Sequence, residues 1–291
     1  PEENPKTGET IWIPKPLHEV MLPSNMLIIV DESSMVSDRL WNDLWAVCRH
    51  LNLKVLLVGD IFQLAPVRPE TQNFSCLTSL KTEYRVELDE VVRQALDNPI
   101  LRASMLIRQS EAGTMEALTM LDSVSDSQLV PTFLAMDAGS RFLITWRNET
   151  RHRLNIAVRQ RLGHTPEALV VGEPLLVIYN TYALDRFNGE VVKFDGWTTA
   201  PGEQRPVRDA HKNISAMTTY GVAKVEGSDV LLSPEEVFGQ VNGIQPKTMS
   251  KWGRGYAATV FGYAPSKTPP HLSANLGYAL TAHKAQGSEA N

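Results

Sequence analysis

Two apolar runs that each end in polar residues set the terms for this chain. Leu27-Ile28-Ile29-Val30 runs into Asp31-Glu32-Ser33-Ser34-Met35, and Lys54 to Val58 runs into Gly59-Asp60-Ile61-Phe62-Gln63-Leu64. Runs of this length suit buried strands of a parallel sheet. Between them Leu40, Leu44, Val47 and Leu51 recur at helical spacing, which predicts a helix over 36–51. Strand, helix and strand make a βαβ unit, with its right-handed crossover. Ligands of open α/β sheets sit beyond the carboxyl ends of the strands, so Asp31, Glu32, Asp60 and Gln63 are expected at one edge. The adjacent carboxylates admit two readings. One of them holds Mg²⁺ while the other steers a water onto a phosphate. Alternatively Ser33 or Ser34 caps a helix, and the acids favour its dipole.

Composition narrows the class. A chain of 291 residues with 43% hydrophobic and 21% charged residues reads as globular, with two domains as the default. The formal net charge of -5 lends nucleic-acid binding no support from bulk electrostatics, although a groove can be basic locally. Cys48 and Cys76 have no metal-ligand spacing and argue for a reducing cytosol over a disulfide scaffold. No apolar run approaches membrane-spanning length.

Along the chain, Asn4-Pro5-Lys6-Thr7-Gly8 followed by Thr10 to Ile13 fits either a small hairpin or a surface loop. Tyr84 to Leu88 predicts a strand. Asn98-Pro99 opens a helix to about Gln109, with Asn as cap and Pro at the first helical position. A second α/β pattern begins at Arg141, with a strand over 142–146, a helix from Asn148 to Leu162 ending at Gly163, and a strand over 173–179. Phe187-Asn188-Gly189-Glu190 is a tight turn. From Val191 to Leu272 helical periodicity gives way to short strand-like pieces among Gly, Pro and Ser. This reads as a small β-rich insertion, with Trp197, Trp252, Tyr256, Phe261 and Tyr263 as its core and a base-stacking platform as the alternative. Asn275 to Leu280 returns to α/β texture, and Thr281-Ala282-His283-Lys284-Ala285-Gln286-Gly287-Ser288-Glu289 follows.

Four clusters, in this order, resemble the RecD/Dda-like branch of superfamily 1 DNA helicases. They are Asp31 to Met35, Gly59 to Val67, Leu88 to Gln94 and Tyr278 to Glu289. The resemblance implies an α/β fold of two RecA-like parallel-sheet domains, both incomplete here. Their expected extents are 26–135 for the first and 136–190 plus 273–291 for the second. It further implies an SH3-like β insertion at 191–272 and a pin hairpin at 1–25, with Trp12 as candidate wedge at the duplex. ATP with Mg²⁺ is the implied cofactor pair. Single-stranded DNA and its junctions with duplex are the implied partners, joined by replication or recombination proteins, in the cytoplasm of a bacterial or phage-infected cell. No membrane is implied, and a monomer is compatible.

The same resemblance distributes roles. Asp31 serves the metal, Glu32 is the general base for the attacking water, and Gln63 and Arg93 reach the γ-phosphate. Gly287 and Glu289 face the nucleotide. Thr281, His283, Lys284, Asn148 and Asn188 contact DNA. One loop touching both ligands is the physical basis of coupling. For Arg93 the alternative is a pair with Glu90, and for Asn188 its turn with Gly189 is reason enough.

The chain departs from the pattern in places. Arg147 stands where a hydroxyl residue is common, Ala290 replaces an aromatic and Ala65 replaces a proline. No G-x-x-x-x-G-K-[ST] phosphate loop occurs in the 291 residues, nor does the final Arg motif. The expectation is therefore a piece cut at both ends from an ATP-dependent helicase, inactive alone. Rival readings are a non-catalytic nucleic-acid-binding module and a metal-dependent nuclease, the latter weakened by the few clustered carboxylates.

Overall fold

The structure is a computed structural model describing residues 2–3, 10–11, 16–23, 25–66, 76–79, 82–88, 98–109, 111–138, 141–166, 168–202, 205–208, 214–240 and 269–286. The chain divides into two compact units, with the break between Ser123 and Val124.

Near the chain start, β1 (Glu2–Glu3) and β2 (Thr10–Ile11) form a two-stranded sheet. In the first unit, β3 (Leu27–Val30) leads through α1 (Asp38–His50) to β4 (Lys54–Leu57). The two strands are parallel, in register from Leu27 opposite Lys54 to Val30 opposite Leu57. The expectation of strands buried on both faces is not met. Leu27, Ile29 and Leu56 are about half exposed, while Ile28, Val30, Val55 and Leu57 turn inward. Alternation with period two gives each strand an inner and an outer face, and among the described residues the outer face is uncovered. The apolar face of α1 is the expected one at Leu44, Val47 and Leu51, which turn inward with Trp41 and Cys48, while Leu40 is exposed; Trp41 and Trp45 stack at 5.6 Å.

After β4 come α2 (Cys76–Ser79), α3 (Pro99–Gln109) and α4 (Glu111–Met120). Asn98 caps α3 as expected, its Oδ1 accepting the Ile100 N–H at 2.8 Å. Tyr84 to Leu88 is no strand. A single 3-10 turn ends at Tyr84, and Val86 and Leu88 lie exposed with no strand beside them among the described residues. β-propensity without a partner to pair with does not make a strand.

The second unit holds α5 (Asp126–Ala135), β5 (Leu143–Thr145), α6 (Asn148–Arg161), β6 (Pro174–Val177), β7 (Val191–Thr199), β8 (Arg205–Arg208), β9 (Ile214–Thr218), β10 (Gly221–Val225), β11 (Ser228–Leu232), α7 (Pro234–Val237), β12 (Ala274–Leu276), β13 (Ala279–Thr281) and α8 (Ala282–Ala285). β5 and β13 form a parallel pair, Thr145 opposite Thr281. A separate five-stranded antiparallel sheet runs β11-β10-β7-β6-β12. It is continuous across residues 190/191 and 272/273, because β6 pairs with β7 on one side and with β12 on the other. Its inner face carries the main apolar core, including Leu175, Val177, Val192, Phe194, Val225 and Leu232. Trp197 packs edge-to-face on Phe194 at 5.3 Å. Trp252, Tyr256, Phe261 and Tyr263 lie outside the described residues.

The α/β texture over 275–280 resolves into two strands in two sheets. Gly277 separates them, and its N–H reaches the Pro174 carbonyl at 2.8 Å. A Cβ there would come within 3.1 Å of the Leu176 nitrogen, so the close backbone approach requires glycine. A buried polar knot supports this region. Glu173 accepts from Arg159 Nε at 2.6 Å, from the Tyr278 hydroxyl at 3.0 Å and from the Val170 N–H at 2.8 Å, and lies 3.1 Å from His164 Nδ1. Burial, with Glu173 beside it, raises the Tyr278 hydroxyl far above its ordinary range and keeps it a donor.

Candidate functional site

In the first unit the functional side chains gather where β3 and β4 end. Val58 N–H bonds to the Val30 carbonyl at 2.9 Å, prolonging the ladder by one residue. Ser33 then donates to the Val58 carbonyl twice, from its N–H at 2.9 Å and its hydroxyl at 2.8 Å. These bonds pin the loop after β3 to the loop after β4. Cys76 Sγ adds a weak donor to the Ser33 carbonyl at 3.4 Å. The capping alternative fails on this geometry. Ser33 and Ser34 are buried in a 3-10 turn, and the cap of α1 is Ser37, whose Oγ accepts the Leu40 N–H at 3.4 Å.

Asp31 and Glu32 stand exposed on this pinned loop. Asp31 Oδ1 accepts the Glu32 N–H at 2.8 Å. Glu32 has φ 49° and ψ 38°, left-handed backbone that a residue with a Cβ adopts at a cost of about 1–3 kcal/mol. Magnesium at phosphate sites takes one or two carboxylates and draws its other ligands from water and phosphate oxygens. Asp31 fits that demand, its Oδ2 remaining for a cation. Among the described residues no group of three or more His, Cys, Asp or Glu is placed to cage a metal alone.

Gln63 sits on the paired loop, held by its N–H to the Asp60 carbonyl at 3.0 Å. Asp60 is a turn former, its Oδ1 accepting the Phe62 N–H at 3.0 Å. It is also the partner of Arg108 on α3, which grips both carboxylate oxygens with Nη1 3.3 Å from Oδ1 and lies 5.2 Å over the Phe62 ring. Sequence reading missed Arg108, and no local signal marks it. Arg93, Gly287, Glu289 and Trp12 lie outside the described residues.

In the second unit the expected strand-contacting residues meet at the carboxyl edge of β5 and β13. Asn148 is the first residue of α6 and is exposed. His283 and Lys284 are half-buried on α8. The turn at Asn188–Gly189 abuts this helix, since a Cβ on Gly189 would lie 3.6 Å from the Lys284 carbonyl oxygen. That turn is fixed by the Asn188 N–H to Asn180 Oδ1 at 2.8 Å and the Phe187 N–H to Glu190 Oε2 at 3.0 Å. Thr281 is buried, leaving its side chain little to offer a ligand. Burial first, and the positive charge of Arg151 second, lower the Lys284 ammonium to about 8.

Three residues that sequence reading passed over complete this edge. Asn155 accepts the Ala279 N–H at 2.9 Å and so positions β13. Arg151, buried beneath, donates to Asn275 Oδ1 at 2.8 Å. Their spacing of four on α6 was the available signal, masked because the buried face of this helix is polar. Trp146 follows β5 directly and is 69% exposed, its ring 5.7 Å from that of His283.

Fold and site define an α/β protein with parallel strand pairs whose carboxyl ends carry the polar residues. A family profile described as AAA domain matches residues 7–129. The ATP-dependent RecD2 DNA helicase of Deinococcus radiodurans is 29% identical over 279 residues, covering 90% of this chain and 31% of the relative. The chain thus spans about a third of the length of that curated relative. Similar solved structures include Bacteroides Pif1 helicase bound to ssDNA (14% identity, 90% of this chain and 62% of that one, TM-score 0.46). Pif1 helicase from Candida albicans is another (15%, 90% and 64%, 0.40). By sequence the chain is thus similar to an AAA-domain family and to a RecD2 DNA helicase.

Proposed function

We propose that the protein is an ATP-dependent DNA helicase, coupling ATP hydrolysis to 5′ to 3′ translocation on single-stranded DNA and to duplex unwinding. One observation carries this reading: Asp31 and Glu32 are presented on the end of β3, pinned through Ser33 to the strand end that carries Gln63. Phosphoryl transfer needs little covalent help and depends on positioned water, metal and positive charge. In this reading Asp31 would hold Mg²⁺, a cation that would supply charge neutralisation for the phosphates. Glu32 takes the proton of the attacking water, and Gln63 and Arg93 contact the γ-phosphate. The edge bearing Asn148, Asn188, His283 and Lys284 contacts the DNA strand. Thr281 joins it through its backbone, and Gly287 and Glu289 face the nucleotide from the same loop. The segment before β3, with Trp12, is the pin at the duplex junction, and the β-rich region after Val191 is the SH3-like module.

The test is Glu32→Gln in the full-length protein. Turnover should fall by about 10²–10⁴-fold while ATP affinity stays within a few fold. Undiminished hydrolysis in that variant would refute the assignment.

A further inference from the structure

Trp146 is the largest exposed aromatic beside the strand-contacting edge of the second unit. Tryptophan is highly buried on average, so a surface indole beside polar functional groups calls for an explanation. Ile144, two residues earlier, shares its strand face and is also exposed. Trp146 is braced on one side by His283, with ring centroids 5.7 Å apart and planes inclined at 47°. The next residue along α8 is the half-buried Lys284, and Arg147 occupies the N-cap position of the 14-residue α6. Beyond Lys284 lies the Asn188–Gly189 turn. The turn is flanked by a second exposed aromatic pair, Tyr182 and Phe187, edge-to-face at 6.4 Å. Glu149 on the first turn of α6 is the acid nearest in sequence.

We propose that Trp146 is a base-stacking platform for single-stranded DNA, braced by His283, with Tyr182 and Phe187 as a second aromatic station across Lys284. The proposal rests on the helicase reading and adds a contact to the bases themselves. Aromatic faces separated by a cation and by amide groups match a ligand that alternates flat π-systems with anionic linkages. A protein partner docking on a purely apolar patch would gain nothing from the Lys284 and Asn188 between the two pairs. Phosphate contacts alone hold the strand by charge. A stacked base adds a contact that is blind to sequence and lost where the base is missing.

The test compares the full-length wild type with Trp146→Ala and Trp146→Phe, by fluorescence anisotropy without nucleotide. The probes are an oligo(dT) strand and a strand of equal length carrying abasic sites. Trp146→Ala should weaken oligo(dT) binding between about fivefold and a hundredfold, and Trp146→Phe should restore most of it. On the abasic strand all three proteins should bind within twofold of one another. Equal affinity of wild type and Trp146→Ala for oligo(dT) would overturn the proposal, as would equal losses on both strands, the mark of a merely structural role. A wild type that hydrolyses ATP on oligo(dT) while Trp146→Ala binds normally sinks this inference alone. A wild type that neither binds the strand nor hydrolyses ATP sinks the helicase reading with it.

Discussion

At the scale of single residues, this protein spends conformational and electrostatic free energy where its chemistry is proposed. Glu32 is held in left-handed backbone by a loop that Ser33 ties to the neighbouring strand end. Such a conformation persists only where the surroundings over-determine it. Lys284 shows the electrostatic counterpart. Its ammonium is held near 8 by burial and by Arg151, against an ordinary value of 10.5. The sign follows from proton counting. Below pH 8 folded and unfolded chains both carry the proton, and the folded state bears the cost in full. Between about 8 and 10.5 the unfolded chain binds more protons, so the stability contributed by this group rises with pH through that window. Affinity for an anionic strand should move the opposite way, falling as pH rises through about 8. In Lys284→Met that pH dependence should flatten, affinity at pH 7 should drop, and thermal stability at pH 7 should hold or rise. Parallel titrations of oligonucleotide binding and thermal melting from pH 6.5 to 9.5 check both trends. A fall in wild-type stability across the window would contradict the assignment.

At the scale of elements, Gly59 carries the junction between the two site loops. A Cβ there would meet Ser33 Oγ at 2.7 Å and the Ser33 backbone nitrogen at 3.0 Å. The hydroxyl could rotate, but the backbone nitrogen cannot yield without moving the Asp31–Glu32 loop. Gly59→Ala should therefore destabilise the first unit by about 1–3 kcal/mol in denaturant unfolding and lower ATP turnover of the full-length protein, whereas Gly227→Ala, where a Cβ meets open space but φ is 79°, should strain its own turn and leave turnover unchanged. The elements around this junction were legible in sequence because local signals sufficed. Short apolar runs bounded by polar clusters marked β3 and β4, and Asn98-Pro99 marked the start of α3. What stayed illegible depended on partners distant in the chain. Tyr84 to Leu88 has strand-forming residues and, among the described residues, no strand to pair with. The division of residues 274–281 between two sheets follows from the approach of Gly277 to Pro174, a contact that periodicity cannot express. Helix α6 buries Arg151, Asn155 and Arg159, so its inner face could not be found by looking for apolar residues.

At the scale of the whole chain, the sequence holds two sets of groups whose proposed tasks differ. The first unit carries Asp31, Glu32 and Gln63, which suit a nucleotide, and the second carries Asn148, Asn188, His283 and Lys284, which suit a strand. Placing a water and a metal does not by itself hold a triphosphate. In P-loop enzymes the glycine-rich backbone and its lysine cradle the β- and γ-phosphates, and no G-x-x-x-x-G-K-[ST] sequence occurs in the 291 residues. Oriented amides and a lysine act on charge that develops in the transition state, where a single lost donor already costs about 10²–10³ in rate. The 291-residue chain by itself should consequently turn over ATP at the buffer background, with or without oligo(dT), although Glu32 and Gln63 are in place. A malachite-green phosphate assay on the purified chain, with Glu32→Gln as the baseline, measures this. Hydrolysis by the wild-type chain well above that baseline would mean that its own residues supply a phosphate cradle of another design, and the division of labour proposed for the two units would have to be redrawn.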